Sequence, residues 1–386
     1  MAATKTTEQP ASQLTVHAKF AAARREMSAA MIERDDEIDL TLVTLLAGEN
    51  LLLVGPPGVA KSMLLRSLLD WIDGQGFELL LSKNTLPEEL FGPISLAAFK
   101  EERYRRVTRG RLPEAHLAFL DEIWKSGPAI LNTLLKILNE RTFENDGIIH
   151  DVPLRMVVAA SNEWPSSDTG KELSALLDRF LVRKTVRPIA TETGKLRLLD
   201  FDGSAGGHRV RFSTRISLAE IDQARDEASS LPFTEDAKEA FLTILRELAR
   251  EGIVPGDRRQ YKAVGVCRAA AYLDGADEVR REHLDVLRYV LWDDPAEQPE
   301  KTAKIVARTA NPIGAEINGY LVEASEIMGR CDVNDIAQAA TASAALKEIV
   351  RKLNTHTGHH KAGLALIYVK GEIKRIGQIT ARGMSI

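Results

Sequence analysis

Leu51-Leu52-Leu53-Val54-Gly55-Pro56-Pro57-Gly58-Val59-Ala60-Lys61-Ser62 decides how this chain reads. The first four residues are an apolar run of strand length that empties into a turn of glycine and proline. A lysine and a hydroxyl follow, and Met63-Leu64-Leu65-Arg66-Ser67-Leu68-Leu69 then carries a helix-like pattern. Strand, turn and helix in that order make a phosphate cradle. Glycine lets backbone N–H groups close on phosphate oxygens, and the helix amino terminus adds a favourable dipole. Lys61 is suited to the β- and γ-phosphates and the Ser62 hydroxyl to Mg²⁺. The expected ligands are therefore ATP and Mg²⁺, held by Gly55, Pro56, Pro57, Gly58, Val59, Ala60, Lys61, Ser62 and Met63. One departure stands out: the last glycine usual in such loops is Ala60, whose methyl group weakens the case for phosphate without removing it.

A second apolar run, Leu117-Ala118-Phe119-Leu120, ends in Asp121-Glu122. Asp121 is the expected Mg²⁺ ligand, through water. Glu122 is expected to orient and polarise the attacking water, because phosphoryl transfer is mostly positioning and electrostatic stabilisation. A third run, Met156-Val157-Val158-Ala159-Ala160-Ser161, stops at Asn162. An amide there suits the γ-phosphate or its water, since ligands of open α/β sheets gather at the carboxyl ends of strands.

These motifs, with Leu86-Pro87-Glu88-Glu89-Leu90-Phe91-Gly92-Pro93, Ile123-Trp124-Lys125, Leu131-Asn132-Thr133-Leu134-Leu135, Asn139-Glu140-Arg141 and Ala159-Ala160-Ser161-Asn162-Glu163, follow one another in a recognisable order. The series resembles the MoxR branch of the AAA+ ATPases, and within it the RavA-type proteins, over roughly residues 15–295. An alanine in the phosphate loop is usual in that branch. The resemblance implies a ring, typically hexameric, that remodels or activates other protein complexes in a chaperone-like way. It also implies a partner with a von Willebrand factor A domain.

The resemblance assigns further residues. Leu176-Leu177-Asp178-Arg179-Phe180 resembles the arginine-finger segment, so Arg179 is the first choice for a charge donated to a neighbour's ATP, with Arg141 the second. Gly256-Asp257-Arg258-Arg259-Gln260 opens a lid helix whose start is expected to face the phosphates of the same chain. Arg259 aligns better with the sensor arginine, and Arg258 stays an alternative. Ile94–Ala115, with Lys100, Arg103, Arg105, Arg106, Arg109 and Arg111 around Tyr104, matches the helix-two insert. Phe143–His150, with Asp146-Gly147 as a hairpin turn, matches the pre-sensor hairpin. Both are expected to point toward the pore.

Composition agrees with a globular chain. Among 386 residues 44% are hydrophobic and 27% charged, and a net charge of −4 gives no global pull toward nucleic acid. Cys267 and Cys331 match no disulfide framework or metal spacing and are expected to be reduced and buried. His356, His359 and His360 lie in a polar segment without nearby ligands of other types, so no metal is assigned to them. No segment reads as a signal peptide or membrane span, and the expected location is cytoplasmic.

The expected fold is α/β: a disordered stretch 1–13, a nucleotide-binding domain 14–202 with a parallel sheet covered by helices, a helical lid 203–295, and a mainly helical extension 296–386. Expected strands are Asn50–Val54, Glu78–Ser82, His116–Leu120, Met156–Ala160 and Lys184–Pro188. A flexible turn is expected at Gly203–Gly207, and a short Val/Ile-containing tail after about Leu353. Two other readings of the site are weighed: a nucleic-acid-directed motor, since the basic insert contains a tyrosine, and a nucleotide-gated scaffold with little turnover. The intact Glu122 and Arg179 argue against the scaffold.

Overall fold

The computed structural model describes residues 14–165, 175–199, 210–331, 335–356 and 360–383. The disorder expected for 1–13, the turn at Gly203–Gly207 and His359 lie outside the described residues. Nine strands form among the described ones: β1 (Leu51–Val54), β2 (Ile72–Asp73), β3 (Gly76–Leu80), β4 (Leu117–Asp121), β5 (Thr142–Asn145), β6 (Ile148–Asp151), β7 (Met156–Ser161), β8 (Val182–Thr185) and β9 (Ile216–Ser217). Five make one parallel sheet in the order β3-β4-β7-β1-β8.

Successive side chains on a strand point to opposite faces, and the central strands β4, β7 and β1 of this sheet are buried on both. Leu51 and Leu53 of β1, Leu117 and Phe119 of β4, and Met156, Val158 and Ala160 of β7 enter one core. Leu52, Val54, Ala118, Leu120, Val157 and Ala159 enter the other. Near-continuous apolar runs are what such double burial requires. Each fully buried leucine or phenylalanine contributes about 1.5–3 kcal/mol.

Two strand positions differ from expectation. The strand expected at Lys184–Pro188 is Val182–Thr185, because its charged residues face protein rather than water. Arg183 is buried and donates to the carbonyls of Phe180 (2.7 Å) and Trp292 (2.9 Å), and Lys184 is ion-paired with Asp36 and Glu37. The strand expected at Glu78–Ser82 starts at Gly76, where it pairs with Leu117.

Helices Leu218–Ser229, Glu235–Arg250 and Asp257–Leu273 and the 3₁₀ stretch Arg281–Tyr289 follow. Ala263, Val266 and Cys267 share the first core with Ile38, Leu42 and Leu45 of helix Asp35–Ala47. Past the boundary expected at residue 295, helix Gln298–Ala310 buries Ile305, Val306 and Ala310 in that same core. Beyond it, helices Pro312–Arg330, Ile336–Asn354 and His360–Gly383 enclose an apolar cluster of their own, including Ile317, Leu346, Leu353 and Val369. The expected tail is thus a helix, its Val369, Ile373 and Ile376 at helical spacing on that cluster. Cys267 is buried, whereas Cys331 is half-buried. His356 faces Glu316 at 3.4 Å. Among the described residues no helix is long and apolar enough to cross a membrane.

Candidate active site

β4, β7 and β1 are adjacent and parallel, so their carboxyl ends lie side by side. From β1 the chain enters the glycine–proline loop. Gly55 is needed there, because a Cβ would stand 2.3 Å from the Val186 carbonyl oxygen. Ala60 takes the left-handed conformation, φ 65°. That conformation costs a side-chain-bearing residue about 1–2 kcal/mol and explains why glycine is usual at this position. Helix Lys61–Trp71 begins next, and the N–H groups of Lys61, Ser62 and Met63 fall in its first turn, beyond reach of intrahelical carbonyls.

Lys61 folds over this loop. Its Nζ donates to the Gly55 carbonyl, to the Pro56 carbonyl at 3.1 Å and to Asn162 Oδ1 at 3.2 Å. Asn162 Nδ2 donates in turn to the Glu122 carboxylate. Glu122 is buried with φ 55°, and its other oxygen lies 3.4 Å from Lys125 Nζ. Asp121 Oδ1 accepts from the Glu122 backbone N–H at 3.0 Å. Burial pushes the Lys61 amine below its ordinary pKa, against the opposing pull of the Asp121 and Glu122 charges. Burial raises the Asp121 carboxyl above the usual carboxylate range, and the Glu122 charge adds to that rise. The Lys61 amine, first-turn N–H groups, a carboxylate and a hydroxyl form a donor set that fits a nucleoside triphosphate with a hard cation.

The expected arginines gather elsewhere. Asn50, just before β1, accepts from Arg141 Nη2 at 3.2 Å and donates to the Arg179 carbonyl at 3.2 Å. Asn50 and Gly55 bracket β1, so these contacts lie about 16 Å from the loop at a rise of about 3.3 Å per residue. Arg141 Nη1 and Arg179 Nε are buried and without a hydrogen-bond partner among the described residues. Burial lowers the pKa of Arg141.

The lid arginines lie on the same side, which corrects the expectation that they face the phosphates of their own chain. Arg259 is buried, with Nη2 2.6 Å from Asp178, Nε 3.1 Å from Asp293 and Nη1 bonded to the Val290 carbonyl. Arg258 donates to Asn139 at 2.5 Å, and Lys262 pairs with Glu49 at 2.6 Å. The cause is packing. Their helix lies along Asp35–Ala47 in the first core, which carries its amino end to the amino end of β1. Arg179, Arg183, Arg258, Arg259 and Lys262 line a cleft of about 370 Å³ with Asp178 and Asp293. Burial, reinforced by Arg259, pushes the Arg183 pKa down to about 9.

The basic insert and the hairpin form one unit. β5 and β6 pair around Asp146-Gly147, both at positive φ. Arg106 N–H donates to Asn145 at 2.7 Å and Arg103 pairs with Asp146 at 2.7 Å. Arg106 also meets Glu88, and Arg111 donates to the Glu89 carbonyl, so part of the insert's charge is already satisfied within the fold. The tryptophans serve packing: Trp71 is buried edge-on to Phe20, and Trp164 meets Trp292 edge-on. Sequence reasoning missed Asn50 as the link between Arg141 and Arg179. Its signal is a polar amide opening a run of buried leucines.

Residues 18–225 match the MoxR domain in the MoxR-vWA-beta-propeller ternary systems, and residues 238–306 match an AAA lid domain. The chain is 36% identical to the uncharacterised protein MJ0812 of Methanocaldococcus jannaschii, over 79% of its own length and 78% of that protein. It is 24% identical to protein MoxR of Paracoccus denitrificans, over 75% of its length and 94% of the relative. A solved structure of a candidate ATPase from Cytophaga hutchinsonii shares the fold with a TM-score of 0.61 at 16% identity, covering 77% of this chain and 95% of that one. The matching model is named for the ternary systems rather than for the RavA-type proteins. The chain belongs to the MoxR family of AAA+ ATPases.

Proposed function

We propose that this chain hydrolyses ATP at sites shared between copies of itself in a ring, and that hydrolysis drives remodelling or activation of other protein complexes. The carrying observation is a division of the site. Lys61, Asn162, Glu122 and Asp121 meet at the carboxyl ends of the central strands, whereas Arg179, Arg141, Arg258 and Arg259 gather at the amino end of β1. In this reading the loop and Lys61 bind the phosphates, while Ser62 and Asp121 hold Mg²⁺, which lends charge neutralisation at the phosphate oxygens. Glu122 polarises the attacking water and Asn162 orients it. Arg179 reaches the ATP of the neighbouring copy, with Arg141 beside it and the lid arginines supporting the same face.

A hexamer is the assembly that the family resemblance suggests. The naming of the matching family for MoxR-vWA-beta-propeller systems favours partners with von Willebrand A and β-propeller domains. A protein client is favoured over nucleic acid, because Arg103, Arg106 and Arg111 of the insert already have partners within the fold.

Purified protein is expected to bind Mg-ADP and to hydrolyse ATP. Lys61→Ala is expected to weaken nucleotide binding at least about tenfold, since a hydrogen bond to a charged group contributes about 1.5–3 kcal/mol. Calorimetric titration with Mg-ADP checks this. Unchanged affinity in Lys61→Ala would remove the loop from nucleotide binding.

A further inference from the structure

Arg34 stands between helices Val16–Ala30 and Asp35–Ala47 and is 5% exposed. Among the described residues it makes three hydrogen bonds, all to backbone carbonyls. Nε donates to Val59 at 3.0 Å, Nη1 to Glu33 at 2.5 Å and Nη2 to Arg187 at 3.0 Å. Val59 lies in the phosphate loop beside the left-handed Ala60, and Arg187 lies just past β8. The loop's near end is fixed by the sheet: Gly55 N–H donates to Ser161, and Val186 N–H donates to Val54. Its far side is tied to the end of β8 through this one guanidinium.

The neighbouring residue holds the clasp in place. Glu33 has φ 54°, and its carboxylate accepts from the N–H groups of Ala190 (2.8 Å) and Thr191 (3.1 Å) and from the Thr191 hydroxyl. Gly194 makes room for it, because a Cβ there would stand 2.1 Å from Glu33 Oε1. These bonds pull Glu33's carboxyl below the usual range, the Thr191 hydroxyl most of all.

We propose that Arg34 is a positioning residue of the nucleotide site: by holding the Val59 carbonyl against the end of β8, it keeps the phosphate loop curved before nucleotide arrives. The proposal rests on the ATPase reading above and adds a residue to it. Without the clasp, one or two loop residues must be ordered at the moment of binding, which weakens affinity about 10- to 100-fold. Chemistry after binding changes little, because Arg34 touches none of Lys61, Asp121, Glu122 or Asn162. Lysine cannot replace the fork that spans two carbonyls.

The test titrates the full chain with Mg-ADP in wild type, Arg34→Ala, Arg34→Lys and Arg225→Lys. The last variant is a control of matching chemistry, because Arg225 is a half-buried guanidinium that donates to the carbonyls of Leu45 and Arg155. Arg34→Ala should raise Kd about 10- to 100-fold and Arg34→Lys less, while kcat at saturating ATP falls by no more than about threefold. Added guanidinium ion should restore part of the Arg34→Ala affinity. Arg225→Lys should lower Tm yet keep the wild-type Kd. Wild-type affinity in folded Arg34→Ala, or an equal loss of affinity in Arg225→Lys, would overturn the proposal. If Arg34→Ala does not fold, the same comparison is decided by Arg34→Lys. A wild type that binds no Mg-ADP would instead overturn the ATPase reading, and this proposal with it.

Discussion

Arg179→Ala is expected to keep nucleotide affinity while losing about 10³–10⁵ in ATP turnover, the range associated with an arginine that neutralises transition-state charge. Binding survives because the loop, Lys61, Ser62 and Asp121 are untouched. Turnover falls because the guanidinium sits at the amino end of β1, where its backbone carbonyl is held by Asn50, far from the loop of its own chain. The side chain is 25% exposed, Nη1 rests 3.2 Å from Asp178, and Nε has no hydrogen-bond partner among the described residues. In the proposed shared site such a group serves an ATP that another copy presents. Steady-state turnover beside Mg-ADP titration separates the two effects. Normal turnover in Arg179→Ala would discard the assignment and make Arg141 the next residue to test.

Glu122→Gln is expected to slow hydrolysis by about 10²–10⁴, the range for a positioned general base, with ATP still bound. The amide is isosteric and can keep the contact with Asn162, but it cannot take a proton from water. It also loses the charge that Lys125 faces at 3.4 Å. Single-turnover hydrolysis with ATP in slight deficit reads the chemical step directly. Near-normal rates in this variant would remove the glutamate from the mechanism.

The parts of this fold legible in the sequence are those whose physics is local. Leu51–Val54, Leu117–Leu120 and Met156–Ala160 are buried on both faces, so each reads as an unbroken apolar run, and the groups at their carboxyl ends follow from chain direction alone. β8 was harder, since Arg183 and Lys184 are buried in it with partners more than a hundred residues away. Arg259 misled for the same reason. Its sequence context marks the start of a lid helix, but which end of β1 that helix reaches depends on its packing along Asp35–Ala47. Asn50 and Arg34 bond mainly to backbone groups of distant segments, which leave no trace in residue type. The helix His360–Gly383 was obscured by the polar histidine-rich stretch before it, although Val369, Ile373 and Ile376 carry its period.

The central claim, that one ATP site is built from two copies, is tested most directly by mixing Arg179→Ala with Glu122→Gln subunits. Each variant alone is nearly inactive. A mixed interface joins an intact Glu122 from the Arg179→Ala copy to an intact Arg179 from the Glu122→Gln copy. Activity should therefore return on mixing, be greatest at intermediate ratios and rise with protein concentration as assemblies form. With subunit exchange shown by energy transfer between labelled copies, no recovered activity at any ratio would contradict the shared site.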